Sequence, residues 1–381
     1  MTAHHKNRCM IRCAPLLLLF CFVVITTAAQ KDTSSKNFAV IGYYAGGTAM
    51  IDSFEVEKLT HLIFSFCHLK GDALSVRNAR DSATIRQMVA LKKRNPQLKI
   101  ILSLGGWGGC QNCSTVFSTR HGRKKFARSV KQLGNYFGTD GIDLDWEYPV
   151  IPGFPGHAYS LADKPNFTAL VKQLRKKLGQ KKEISFAAGG FTSYIDSAIE
   201  WKKVMAKTDR VNLMSYDLVN GFSKLSGHHT PLYSTPQQVE SVDNGVKKLI
   251  AAGVPPSKIA IGAAFYARLF EVTDTANSGL YREGKFYHGL PFRRFEDTIN
   301  IANGFNKYWD SVAKAPYAFN IQRKVMATYD DTVSMRLKTE YAVKNKLNGI
   351  MFWQLAEDTF TNGLLNVIAS VKKEEANSEG H

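Results

Sequence analysis

Cysteine, acidic residues and long apolar runs are all scarce in this chain, and each scarcity excludes something. Six cysteines in 381 residues are too few for a scaffold held together by disulfides. Three of them, Cys9, Cys13 and Cys21, lie in the first 29 residues. Cys67, Cys110 and Cys113 are left, and an odd number leaves at least one thiol unpaired in a monomer. Cys110 and Cys113 share a loop and are expected to form a small disulfide that leaves Cys67 free; free thiols or a bridge from Cys67 are the alternatives. Beyond residues 15–25 no apolar stretch is long enough to cross a membrane. That first run follows Lys6, Arg8 and Arg12 and ends in Thr26, Thr27, Ala28 and Ala29. The order basic, apolar, small reads as a secretory signal over 1–29, so the mature protein is expected outside the cell or in a periplasm, with no membrane partner.

Acidic residues number 32 against 50 Lys and Arg, a formal net charge of +18. The basic triplets Lys92-Lys93-Arg94, Arg123-Lys124-Lys125 and Arg175-Lys176-Lys177 fall within or beside helical patterns, so they read as solvated outer faces. No nucleic-acid motif accompanies them, and no nucleic-acid partner is expected.

What the chain does have is alternation. Apolar, β-rich segments at 38–44, 61–67, 99–104, 141–146, 184–188, 211–216, 259–265 and 349–353 are separated by amphipathic, Lys-rich ones, among them 123–137, 166–178, 196–206, 237–252 and 333–345. Eight strands alternating with helices predict an α/β fold, a (β/α)8 TIM barrel. Residues 269–329, between strands seven and eight, are too many for a loop and are rich in Tyr and Phe. They are expected to form a small α+β insertion that walls one side of a cleft. The barrel then spans 30–268 and 330–371, and the polar tail 372–381 is expected to be disordered.

The chemistry concentrates in DGIDLDWEYP, residues 140–149. Residues two apart on a strand share a face, which turns Asp143, Asp145 and Glu147 inward and Ile142, Leu144 and Trp146 toward the helices. Three inward carboxyls repel one another and are costly to bury, so at least one holds a proton near neutral pH. Glu147 falls at the strand's C-terminal end, where barrel enzymes place catalytic groups. A metal site would recruit ligands from loops rather than from a strict alternation along one strand; no metal and no cofactor is expected. Asp140 is out of phase with the inward acids and is read as structural. Trp201 and Trp309 are expected to be buried, Cys67 to be a buried strand residue, and His228 and His229 to be polar surface.

The run Asp140, Asp143, Asp145, Glu147 resembles the D-x-x-D-x-D-x-E motif of the family 18 glycoside hydrolases, the chitinases. Ser103 to Trp107 (SLGGW), Met214 to Asp217 (MSYD), Gly227 to Tyr233 (GHHTPLY), Ala264 to Arg268 (AFYAR) and the strand end Phe352-Trp353 are similar to further motifs of that family, in order. AFYAR carries Ala where the family's Gly is usual. The resemblance implies a secreted, monomeric chitinase acting on chitin and chitooligosaccharides. It makes Glu147 the general acid and Asp145 the residue that holds the substrate's acetamido N–H, moving between Asp143 and Glu147. Tyr216 positions the acetamido group, which is itself the nucleophile in this substrate-assisted scheme. Tyr43, Ser103 and Asp143 form the relay behind the acid. Trp353 is the floor of the cleaving subsite, and Phe66, Gly106, Trp107, Met214, Asp217, Tyr266 and Arg268 are substrate contacts. An endo-β-N-acetylglucosaminidase acting on glycans or peptidoglycan, or a chitin-binding lectin without turnover, are the alternatives; a lectin of this kind would be expected to lack Glu147.

Overall fold

A computed structural model describes residues 1–4 and 38–378. The segment read as a secretory signal, with Cys9, Cys13 and Cys21, lies outside the described residues apart from 1–4. Fourteen strands form two sheets. The first contains β1 (Ala39–Tyr44), β2 (His61–Lys70), β3 (Ala73–Ser75), β4 (Lys99–Gly105), β5 (Gly141–Asp145), β6 (Glu183–Gly189), β7 (Arg210–Met214), β8 (Ile259–Ala264) and β14 (Gly349–Trp353). Eight of these are parallel, each paired with the next, and β1 pairs with both β14 and β2, so the sheet closes into a barrel. β3 is a short antiparallel extension of β2. Seven of the eight barrel strands lie within two residues of the predicted segments, and β2 runs three residues further, to Lys70.

Between β8 and β14 come β9 (Tyr266–Val272), β10 (Gly284–Pro291), β11 (Phe305–Asp310), β12 (Ala315–Asn320) and β13 (Val325–Thr328). They form an antiparallel sheet in the order β10-β9-β13-β12-β11. This is the α+β insertion, and it starts earlier than the sequence suggested. Tyr266 and Arg268, assigned to the barrel, belong to β9, because Arg268 is in register with Gly289 of β10 and Thr328 of β13.

The barrel holds two kinds of core. Inside, Ile41, Tyr43, Ile63, Ile101, Ala187, Met214, Ala260 and Met351 pack together. Outside, Ile142, Leu144 and Trp146 of the acidic segment join the large cluster under the helices, where Trp146 meets the rings of Phe117 and Phe167. Burying side chains of this size contributes roughly 1.5–3 kcal/mol each, so the apolar phase of β5 holds its acidic phase inward.

The helix Arg120–Phe137 shows how the sequence sets its own ends. The Thr119 hydroxyl accepts from the Gly122 N–H at the start, and Gly138, at φ 76°, closes the end. Phe126, Ala127, Val130 and Phe137 form its buried stripe. The predicted helix over 196–206 is instead two short pieces, Thr192–Ser197 and Trp201–Met205. The expected disordered tail is helical through Ser378: the helix Leu364–Ser378 is held where Glu374 takes a two-pronged pair from Arg336.

Cys110 and Cys113 are joined by a disulfide, and Cys67 is a buried free thiol. Protein freed of residues 1–29, unfolded without reductant, should therefore titrate one thiol per chain; a count of three would contradict the pairing.

Candidate active site

Parallel register builds the floor of the site. Ser103 of β4, Asp143 of β5 and Ser185 of β6 are cross-strand neighbours, and all three are fully buried. Asp143 Oδ2 accepts from the Tyr43 hydroxyl at 3.0 Å and from the Ser103 hydroxyl at 3.1 Å. Its Oδ1 accepts from the Ser185 hydroxyl at 2.6 Å and from Asn212 Nδ2 at 3.1 Å. Asn212 also donates to the Tyr43 oxygen. Burial raises the pKa of Asp143, and its hydrogen bonds oppose that rise.

One step up the strand, Asp145 is buried as well, but its Oδ1 has no hydrogen-bond partner. Burial first, then the charges of Glu147 and Asp143, push its pKa well above the carboxylate range. Glu147 follows just past the end of β5 and is half-buried. Its pKa is raised to about 7, by burial first and also by the charge of Asp217, against hydrogen bonds with Tyr148 and Asp145 that lower it. The Asp145–Glu147 pair therefore holds at least one proton at neutral pH.

Across the barrel, the chain leaves β7 into Tyr216 and Asp217, the latter at φ 56°. Among the described residues the Tyr216 hydroxyl has one hydrogen-bond partner, the Met351 sulfur at 3.9 Å. Asp217 accepts from the Tyr266 hydroxyl at 2.7 Å and takes both arms of the Arg268 guanidinium. Burial pushes Asp217 up, but the Arg268 and His229 contacts outweigh it and hold the carboxyl well below its usual range. Asp217 is thus a fixed anion, in contrast to the protonated pair opposite.

An aromatic surface lines the opening. Phe66 stacks on Trp353 with centroids 5.5 Å apart and planes at 11°, and Tyr43 meets the same indole at 6.1 Å. Met214 packs beside Tyr216 and Trp353. Gly106, at φ 76°, lies so close to Phe66 that a Cβ would stand 2.3 Å from its ring, which excludes any side chain there. Trp107, 48% exposed, is ringed by Tyr148, Phe154 and Phe222. The structure places Tyr43, Ser103 and Asp143 in the barrel interior, Phe66, Gly106, Trp107, Asp145, Glu147, Met214, Tyr216, Asp217 and Trp353 toward or just past the C-terminal ends of the barrel strands, and Tyr266 and Arg268 on β9 of the insertion, tied to Asp217.

Other expectations divide. Asp140 is structural: it accepts from the Ile100 N–H and pairs with Lys92. Trp201 and Cys67 are buried. Trp309, expected to be buried, is 38% exposed, on β11 of the insertion. His228 and His229, expected at the surface, are fully buried, because the insertion sheet closes over their loop. His228 Nε2 lies 3.1 Å from Asp310. His229 Nδ1 lies 3.5 Å from Asp217, too long for a good hydrogen bond, and burial lowers its pKa.

Sequence reasoning missed Ser185, Asn212 and Tyr148. Ser185 and Asn212 are polar residues at inward phase on predicted strands, a signal that could have found them. Tyr148 follows the strand end, beyond any periodicity.

A parallel eight-stranded barrel with paired, proton-holding carboxyls at its open end and an aromatic floor is a (β/α)8 frame equipped for acid–base chemistry. The sequence profile of Glycosyl hydrolases family 18 matches residues 39–358, and the chain belongs to that family. It is 34% identical to Chitinase A1 of Niallia circulans over 90% of its own length, spanning 60% of that protein. It is 29% identical to the oviduct-specific glycoprotein of Mus musculus, again over 90% of its own length, spanning 50% of the relative. A solved structure of a family 18 N-acetylglucosaminidase from Paenibacillus barengoltzii superposes with a TM-score of 0.81 at 35% identity, covering 88% of this chain and 99% of that one. Among the described residues no helix is long and apolar enough to cross a membrane.

Proposed function

We propose that the chain is a secreted chitinase that hydrolyses β-1,4 bonds between N-acetylglucosamine units with retention of configuration. The observation that carries this reading is the pairing of Glu147, with its pKa near 7, and Asp145, whose Oδ1 is unpartnered, opposite a Tyr216 hydroxyl without a good protein acceptor. Each of these groups has capacity left for a substrate.

In this mechanism Glu147 donates its proton to the glycosidic oxygen. The acetamido carbonyl oxygen of the substrate attacks the anomeric carbon as that bond breaks, forming an oxazolinium ion. With the pair's proton on Glu147, Asp145 is ionised: it accepts the acetamido N–H and offsets the positive charge that develops, while Tyr216 holds the acetamido oxygen in line. Glu147, now ionised, takes a proton from the incoming water, which opens the ring from the face the leaving group occupied. Two inversions return the β-anomer. Asp143, with four hydrogen bonds, stays fixed behind Asp145.

Proton NMR of the anomer first released from chitin oligomers tests this, with partly deacetylated chitosan as a second substrate. Release of the β-anomer, with cleavage only after acetylated units, is expected. The α-anomer, or efficient cleavage after a glucosamine, would refute the mechanism. The same spectra show product size, which bears on a second reading. The Paenibacillus barengoltzii protein is named an N-acetylglucosaminidase, and steady release of monosaccharide from one end would favour that activity here. Glycol-chitin zymography of wild type against Glu147→Gln separates either enzyme from a lectin.

A further inference from the structure

The insertion carries an open pocket of about 340 Å³, none of whose lining residues belongs to the site above. Its walls come from four parts of the chain: Trp309 and Ser311 at and just past the end of β11, Tyr317 of β12, Asn277 and Tyr281 of the loop before β10, and Gln237 from the segment before the helix Val242–Ala251. The consecutive histidines separate it from the catalytic residues. His228 contacts Asp310, Tyr281 and Tyr317 on the pocket side, whereas His229 contacts Asp217 and Tyr266.

The chemistry of the walls narrows the ligand. The one carboxylate, Asp310, is already used: its Oδ1 accepts from the N–H groups of Val312 and Ala313, and its Oδ2 faces His228. No Lys or Arg lines the pocket, so it offers no free charge to either a cation or an anion. It does offer an exposed indole and, beside it, a Gln237 amide and a Ser311 hydroxyl with no hydrogen bond inside the chain among the described residues. The Tyr281 ring is held from behind by its hydroxyl on Thr235 at 3.0 Å. Asn277, Ser278 and Tyr281 all sit at left-handed φ, between 50° and 59°. Non-glycine residues seldom adopt that conformation, and it gathers at binding sites. Aromatic faces beside uncommitted neutral donors and acceptors suit a pyranose, which has an apolar C–H face and a rim of hydroxyls. The volume is at the small end of ligand clefts, roughly 300–1,000 Å³, and has room for one or two sugar rings.

The geometry points to a second carbohydrate site on the insertion, which holds an N-acetylglucosamine unit of the polymer outside the cleft with its apolar face on Trp309. The identity of that sugar rests on the chitinase reading. Retention on insoluble chitin of the full chain carrying Glu147→Gln, with and without Trp309→Ala, tests it; Gln237→Ala serves as an independent second variant. Trp309→Ala is expected to weaken retention about five- to tenfold, the size of one aromatic face contact, and Gln237→Ala to weaken it less. With Glu147 intact, either substitution should leave turnover of a short soluble oligomer within about twofold, far inside the change that loss of a catalytic group produces. Unchanged retention in both variants overturns the inference and leaves the chitinase reading standing, as does a wild type that turns over soluble oligomers while its Glu147→Gln form does not hold to chitin. A wild type without turnover, whose Glu147→Gln form also does not hold to chitin, overturns the chitinase reading and this inference with it.

Discussion

Glu147→Gln should lower turnover of unactivated chitin oligomers by about 10²–10⁴, the usual contribution of a general acid, and leave KM within a small factor. Glutamine keeps the shape of the side chain and a hydrogen-bonding contact, so binding survives while proton donation is lost. An aryl glycoside, whose leaving group needs little protonation, should lose much less. Glu147 has a pKa of about 7, and the acid form is the competent one. The wild-type rate should therefore fall as pH rises through that value, and the variant should lack that limb. Wild-type stability should fall in the same direction of pH. A carboxyl whose folded pKa is raised binds its proton more tightly when folded, so wild type loses stability as pH climbs from the unfolded value, near 4, toward 7. The variant, which cannot ionise, escapes that loss and should match or exceed wild type in denaturant midpoint at pH 8, with the gap closing near pH 4. Retention of more than a tenth of wild-type kcat on the unactivated oligomer would remove Glu147 from its role.

Asp145→Asn should cost about 10²–10³ in kcat, comparable to removing a preorganised partner of developing charge. The argument rests on a buried oxygen with no partner in the chain. An unsatisfied buried acceptor is expensive to keep, and its use is explained if the substrate's acetamido N–H completes it. Asparagine can still turn a carbonyl toward that N–H, but it carries no negative charge to balance the oxazolinium. The loss should therefore fall on kcat more than on KM, and a stable thiazoline analogue of the cation should bind more weakly to the variant. A variant within tenfold of wild type on acetylated oligomers would mean that Asp145 is structural.

Most of this site was legible because it lies on strands. A period of two assigns each residue of 141–147 to a face, and the observed burial of Asp143 and Ile142 on opposite sides follows from it. The same rule would have reached Ser185 and Asn212, had polar residues at inward phase been counted along β6 and β7. It does not reach His228 and His229. Their neighbours in sequence are Gly, Thr and Pro, which indicate a loop, and the loop is buried by contacts made with β11 to β13, some 80–100 residues away. Trp309 failed in the opposite sense: aromatic bulk suggested core, but the strand carrying it is the outer edge of the insertion sheet. Residues 372–378 of the tail are helical although their polar side chains look solvated, and most of them are, on the outer side of that helix; 379–381 lie outside the described residues.

The closure of the barrel has a consequence for the timing of synthesis. β1 begins at Ala39, and its partner β14 starts at Gly349. Tyr43, which fixes Asp143, and Trp353, on which Phe66 lies, therefore come from opposite ends of the described chain. A ribosome that has delivered every carboxyl of the site has still not delivered its floor. Contacts between residues so far apart are slow to form and come late. The growing polypeptide, and any fragment that ends before β14, has the acids but not the enclosure that raises their proton affinity. Competence then arrives in a single late step, once β14, which starts 310 residues after β1, has been made.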